Sequence, residues 1–266
     1  MLSLLMLPFL LGADALSAAP TPLVHVHAHN DYEHAHPFFD AAECGFCSFE
    51  ADIHLVDGKL PVAHSRAAVK PEKTLQSLYL DPMKKQIEAN GGRLYPKGPT
   101  VWLLIDVKGD ASEIYTALRP VLKEYSPLLT TWRDGKKVQE GAITIVISGN
   151  RDRAAITAET TRYCGYDGLL DDLDKNPPAD LVPWISEQWT KLFKWNGKGP
   201  IPDAERQKLK DIVAKAHEQH RLVRFWGAPD FPDFWKELRD DGVDLLNTDN
   251  LKQCRDFLLK EGKEAP

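Results

Sequence analysis

The chain has 266 residues, of which 43% are hydrophobic and 27% charged, with a formal net charge of −6. That composition excludes a disordered chain, and the length suits one α/β barrel of about 250 residues. Basic residues are dispersed among acidic ones rather than gathered in a stripe with interleaved aromatics, which excludes nucleic acid as a partner.

In chain order, Met1 to Leu11 form an apolar run followed by small residues with an Ala-x-Ala pattern. The run resembles the core of a secretion signal, and it is too short for a bilayer span of roughly 20 residues. The reading is a signal peptide over residues 1–19, export to the periplasm or the exterior, and one domain over residues 20–266. The first strand is expected over residues 23–28. It leads into His25, His27, His29, Asn30, Asp31 and Tyr32, where alternation puts the three odd-numbered histidines on one face and His29 nearest the strand's C-terminal end. Cys44, Cys47, Cys164 and Cys254 are too few and too irregularly spaced for a disulfide framework. Buried thiols or a single structural bridge are expected at the Cys44–Cys47 pair, which falls at a helix-to-strand junction.

The second strand, over residues 46–53, carries Glu50 and Asp52 two positions apart and so on the same face. Two carboxylates about 4 Å apart repel by roughly 4 kcal/mol at an effective dielectric near 20, so the pair calls for a proton, a basic partner or a cation. A short return segment through residues 60–63 then delivers His64. Residues 66–100 interrupt the strand pattern and are expected to pass over one barrel face, with a helix over residues 82–89. The third strand, residues 101–107, ends in Asp106, with Lys108 at the same-face interval. Asp106 joined to Glu50 and Asp52 makes an all-oxygen shell suited to one divalent cation, Mg²⁺ or Ca²⁺; a solvated acidic edge is the competing reading. Lys108 is placed to neutralise a phosphoryl oxygen, or else to form a surface ion pair. Facing each other across the mouth, His29 and His64 form a base and acid pair suited to neutral pH, although either alone is more often structural.

Further strands are expected over residues 143–148, 168–171, 181–186, 222–226 and 243–247, and helices over residues 202–220, 230–239 and 250–260. Eight strands alternating with helical stretches make the fold class α/β, a single (β/α)₈ TIM barrel. Arg66, Asn30, Glu187 and Asn247 lie near strand ends and are candidates to line the pocket. Trp184, Trp189, Trp195, Trp226 and Trp235 read as core and rim packing rather than a sugar platform.

His29-Asn30-Asp31-Tyr32, Glu50-Ala51-Asp52, Ala63-His64 and Asp106-Val107-Lys108, in this order, resemble the glycerophosphodiester phosphodiesterase and phosphatidylinositol phospholipase C-like superfamily. The resemblance runs on to residues 242–249, which look like that superfamily's last strand. It implies a barrel in which Glu50, Asp52 and Asp106 hold Mg²⁺ or Ca²⁺, His29 and His64 act as base and acid, and Lys108 contacts phosphate. It also implies an aromatic residue near the site, matched by Trp226; Asn30, from its place at the strand end, is expected beside the substrate. The substrate would be a small phosphodiester or a phospholipid headgroup, met in transient contact with a membrane surface and without an obligate protein partner. In one departure, the Arg-Gly that follows the first histidine in glycerophosphodiesterases is replaced by Asn30-Asp31. The competing readings are a metal-dependent amidohydrolase, suggested by His25-x-His27 or His27-x-His29, and a silent barrel that binds lipid headgroups or glycans.

Overall fold

Runs such as Val101–Val107 and Ile143–Gly149 are apolar on both faces because both are covered, as parallel strands under helices require. The computed structural model, which describes residues 19–261, contains the strands β1 (Val26–Ala28), β2 (Ser48–Ile53), β3 (Val101–Val107), β4 (Thr131–Arg133), β5 (Lys136–Gln139), β6 (Ile143–Gly149), β7 (Thr161–Arg162), β8 (Cys164–Gly168), β9 (Trp184–Gln188), β10 (Leu222–Trp226) and β11 (Leu246–Thr248). Eight of these form one parallel sheet in the order β10-β9-β8-β6-β3-β2-β1-β11. Its two edges meet where Arg224 bridges Leu245 and the Leu245 N–H donates to Val223 O at 3.1 Å. The result is a nearly closed TIM barrel, and the α/β expectation holds.

Helices cover the outside because their apolar residues recur once per turn. In Ala111–Glu124 the buried positions include Ile114, Leu118 and Leu122, and the Asp110 side chain caps the first turn by accepting from the Glu113 N–H. The main core lies between barrel and helices. A second, smaller cluster fills the barrel's inside: Leu104, Val146, Trp184 and Leu245, with Trp102 and Leu222 against it. These residues sit toward the strands' N-terminal ends and form an apolar floor. Two residues further along the same strands, the interior turns polar with Asp106, Ser148, Ser186, Arg224 and Asn247.

Several expected boundaries move. The strand expected over residues 168–171 is Cys164–Gly168, whose mixed Cys-Gly-Tyr-Asp-Gly sequence gives no hydrophobic signal. Leu169 instead begins a turn whose N–H donates to Asp172 Oδ2. The strand expected over residues 181–186 is shifted to Trp184–Gln188, following Pro183, which has no N–H to give a ladder. The last strand is Leu246–Thr248. The small antiparallel sheet β5-β4-β7 was not foreseen. Much of the 66–100 segment packs inward, burying Tyr79, Leu80, Met83, Ile87, Leu94 and Tyr95. Its helix, Asp81–Ala89, falls where expected. All four cysteines are buried and none forms a disulfide. Residues 1–18 of the expected leader lie outside the described residues, among which no helix is long and apolar enough to cross a membrane.

Candidate active site

Beyond β1 the chain turns at His29, whose N–H still donates to Thr248 O at 3.0 Å. Asn30 then adopts the left-handed conformation (φ 48°, ψ 34°), one that asparagine tolerates better than most residues. The short turn that follows, Asp31–Glu33, buries Tyr32. Asp31 anchors it by accepting the Phe38 N–H at 2.6 Å. On the next strands, Asp52 and Asp106 are direct neighbours in the β2–β3 register, so the carboxylates separated by 54 positions of sequence arrive side by side. The return segment is fixed by the Ala63 N–H donating to Asp52 O at 3.0 Å, which sets His64 at the rim.

Each of Glu50, Asp52 and Asp106 offers an oxygen within 4.8 Å of the others'. The oxygens are unequally occupied. Asp52 Oδ2 accepts from the Tyr32 hydroxyl at 2.6 Å and lies 3.0 Å from Lys108 Nζ and 3.6 Å from His64 Nδ1. Asp52 Oδ1 is buried with no partner. On Glu50, both His27 Nε2 (2.9 Å) and Arg224 Nη1 (3.1 Å) fall on Oε2. Lys108 Nζ is also 3.2 Å from Asp106 Oδ1. An orphaned buried carboxylate oxygen is costly unless something fills its coordination. Three converging oxygen donors fit a hard divalent cation.

The protonation equilibria reflect the crowding. Burial, then Glu50 and Asp106, push the Asp52 carboxyl up to about 7, and burial also raises Asp106. Glu50 goes the other way: burial opposes ionisation, but the His27 hydrogen bond and the Arg224 charge hold its carboxyl well below the usual range. Burial, aided by Arg224, lowers His27 to about 4. His27 is therefore neutral at physiological pH, with Nε2 donating to Glu50 and Nδ1 accepting from the Ser48 hydroxyl at 2.7 Å. Lys108 is raised, burial being outweighed by Asp106 and Asp52.

The two rim histidines stand at opposite ends of a row of close polar contacts through Asn30 and Tyr32. His29 Nδ1 donates to Asp249 Oδ1 at 2.8 Å, and this contact with Glu50's field outweighs burial and raises the imidazole. Asn30 Nδ2 lies 3.1 Å from the same Nδ1, and Asn30 Oδ1 lies 2.7 Å from the Tyr32 oxygen, where it competes with Asp52 for the single hydroxyl proton. The Tyr32 hydroxyl reaches His64 Nδ1 at 3.2 Å, while two-thirds of the His64 side chain is exposed. Trp226 stands one interior position beyond Arg224 and is partly exposed at the rim. Of the pocket candidates, Asn247 accepts from Arg224, whereas Arg66 turns to Leu55 O and Glu187 pairs with Lys191. Among the described residues the only metal-type grouping is the carboxylate trio. His25 is exposed and faces Asp244 O, and His27 has both nitrogens engaged, so neither His-x-His pair forms the amidohydrolase arrangement.

Four contributors escaped sequence reasoning. Tyr32 sits in the His29-Asn30-Asp31-Tyr32 motif with no local pattern that marks its hydroxyl, and His27 shares a strand face with His29. Asp249 lies 220 positions from His29, so no local pattern pairs them. Arg224 was missed although it interrupts the run Leu222-Val223-Arg224-Phe225-Trp226, the signal that a charged side chain faces a functional interior.

Comparison with known proteins agrees with the geometry. Residues 16–97 match the family model of the AIM6-like phosphodiesterase domain. The chain is 27% identical to an altered inheritance of mitochondria protein 6 homolog of Arthroderma benhamiae, over 88% of this chain and 83% of that one. It is 29% identical to altered inheritance of mitochondria protein 6 of Eremothecium gossypii, over 88% and 69% respectively. In fold it is similar to a glycerophosphodiester phosphodiesterase from Parabacteroides distasonis, with a TM-score of 0.53 at 14% identity, covering 92% of this chain and 99% of the other. The resemblance drawn from the four short motifs is thus matched by a family model over the first three-tenths of the chain and by barrel architecture over most of it.

Proposed function

We propose that this barrel is a metal-dependent phosphodiesterase that cleaves a glycerophosphodiester or a phospholipid headgroup ester. The observation that carries the reading is the carboxylate trio, with Asp52 Oδ1 buried and unpartnered, flanked by Lys108 and by the rim histidines His29 and His64. Glu50, Asp52 and Asp106 would hold one Mg²⁺ or Ca²⁺. A bound divalent ion supplies Lewis-acid stabilisation of phosphoryl charge.

The chain's own groups do the rest. Lys108, kept protonated by Asp106 and Asp52, offers its ammonium to a non-bridging phosphate oxygen. With Nδ1 committed to Asp249, His29 presents Nε2 to the substrate and takes the proton of the attacking hydroxyl, and Asp249 steadies the imidazolium that forms. His64, with Nδ1 beside the Tyr32 hydroxyl, gives a proton from Nε2 to the leaving oxygen. If the attacking hydroxyl belongs to the substrate, the first product is a cyclic phosphate, which water can open by the reverse roles.

The test is hydrolysis of glycerophosphodiesters, lysophospholipids and phosphatidylinositol with Mg²⁺, Ca²⁺ or EDTA. Turnover should vanish with EDTA, and His29→Ala and His64→Ala should each lower it by about 10² to 10⁴ while calorimetry still finds the ion bound. Near-normal rates in either variant would remove the acid-base assignment. Diester binding without turnover under every ion would favour a silent binding barrel.

A further inference from the structure

A guanidinium inside a barrel stays ionised and ordered only when its donors are matched, and Arg224 is almost wholly buried. Nε donates to Ser186 Oγ at 3.2 Å; Nη1 donates toward Glu50 Oε2 at 3.1 Å and Asn247 Oδ1 at 3.2 Å. Nη2 makes no hydrogen bond to a described residue, yet it is not one of the fully enclosed atoms that lack a partner. The guanidinium is therefore held at Nε and Nη1, and Nη2 is left as its uncommitted nitrogen, in the polar layer that holds the carboxylate trio.

Charge explains what the uncommitted Nη2 is for. Glu50, Asp52 and Asp106 carry up to three negative charges, and Lys108 lies against two of them. With a divalent ion and Lys108 alone the site would be neutral and would offer an anion no net attraction. Arg224 turns that balance positive by one unit. It does so from a fixed position, because Glu50, Ser186 and Asn247 preorganise it before any ligand arrives. His27 adds nothing to the count, being neutral, and His29 faces the Asp249 carboxylate.

We propose that Arg224 is a phosphate-binding residue of this site, its free Nη2 donating to a non-bridging oxygen of a phosphodiester anion held over Glu50, Asp52 and Asp106. The inference rests on the phosphodiesterase reading above and deepens it by naming the cation that gives the loaded site its affinity for an anion. Since the guanidinium is also tied to Glu50, a purely positioning role is the alternative to be separated.

Calorimetry separates them, first with Mg²⁺ or Ca²⁺ alone and then with dimethyl phosphate at saturating ion. In Arg224→Gln the diester affinity should fall by about tenfold or more, the usual worth of a charge-assisted hydrogen bond, and should lose much of its salt dependence. Ion affinity should hold or tighten, because a nearby positive charge has gone. Undiminished diester affinity at saturating ion, with a weakened ion site, would overturn the proposal and leave Arg224 as a support for Glu50. Should the glutamine variant not fold, Arg224→Lys keeps a counter-charge for Glu50 without the free Nη2 donor. Diester affinity about tenfold lower with the ion site intact supports the assignment, and wild-type affinity overturns it. A wild-type chain that binds neither ion nor dimethyl phosphate removes the phosphodiesterase reading, and this one with it.

Discussion

Asp31 shows how much of the site's architecture depends on single residues outside its chemistry. It is fully buried beneath the loop that bears His29 and Tyr32, and it accepts from the Phe38 N–H and the Tyr79 hydroxyl, leaving Oδ1 without a partner. Burial lifts its carboxyl to about 7, despite those two donors. A folded-state value above the unfolded one of about 3.9 means the carboxyl's favourable contribution is complete below that lower value and is lost as pH rises through 7. Asparagine keeps an acceptor for both donors and does not ionise. Asp31→Asn should therefore gain on the wild type as pH rises from about 4 to 7, by at most roughly 1.4 kcal/mol per pH unit, in urea unfolding followed at several pH values. A constant difference across that range would show that Asp31 is not held neutral. The same scale decides what could be read from the sequence. Glu50 and Asp52 were legible because two-residue spacing on a strand fixes a shared face. Arg224 was not, because its partner lies 174 positions away and is set by barrel closure rather than by any local pattern.

Among elements, the strands read most clearly were those whose two faces are both covered. β2, β3, β6 and β10 fall within a residue or two of the expected segments, whereas β8, with two glycines and an aspartate in five residues, carries no such mark. The end of β6 illustrates what register adds. Gly149 has φ +64°, and a Cβ there would stand 2.1 Å from Asp106 Oδ1 and 2.6 Å from Val107 O. No side chain fits unless Asp106 leaves its place. Gly149→Ala should lower the melting temperature, the left-handed backbone alone costing about 1–2 kcal/mol, and should weaken Mg²⁺ or Ca²⁺ binding by about tenfold or more without altering any proposed ligand. An unchanged ion affinity in the folded variant would take Asp106 out of the coordinating set.

At the scale of the molecule, the α/β barrel was legible from the repetition of strand and helix. Its asymmetry along the axis was not, since it depends on which alternate residues turn inward. Trp184 packs edge-on beneath His27 at 5.7 Å and against Trp102 at 5.3 Å, and with Leu104, Val146 and Leu245 it fills the lower barrel. The chamber above is consequently a cul-de-sac. Both fragments of a split ester would have to back out through the doorway by which the substrate came in, so departure becomes a queue. On the proposed reading, the piece bearing phosphate would be gripped deepest, would leave last and would meet the next substrate at the same empty chamber. Under the proposed chemistry that phosphorylated fragment should inhibit competitively in steady-state product-inhibition kinetics and the released alcohol noncompetitively. The reverse pattern would mean that the order of exit is set at the rim rather than by depth.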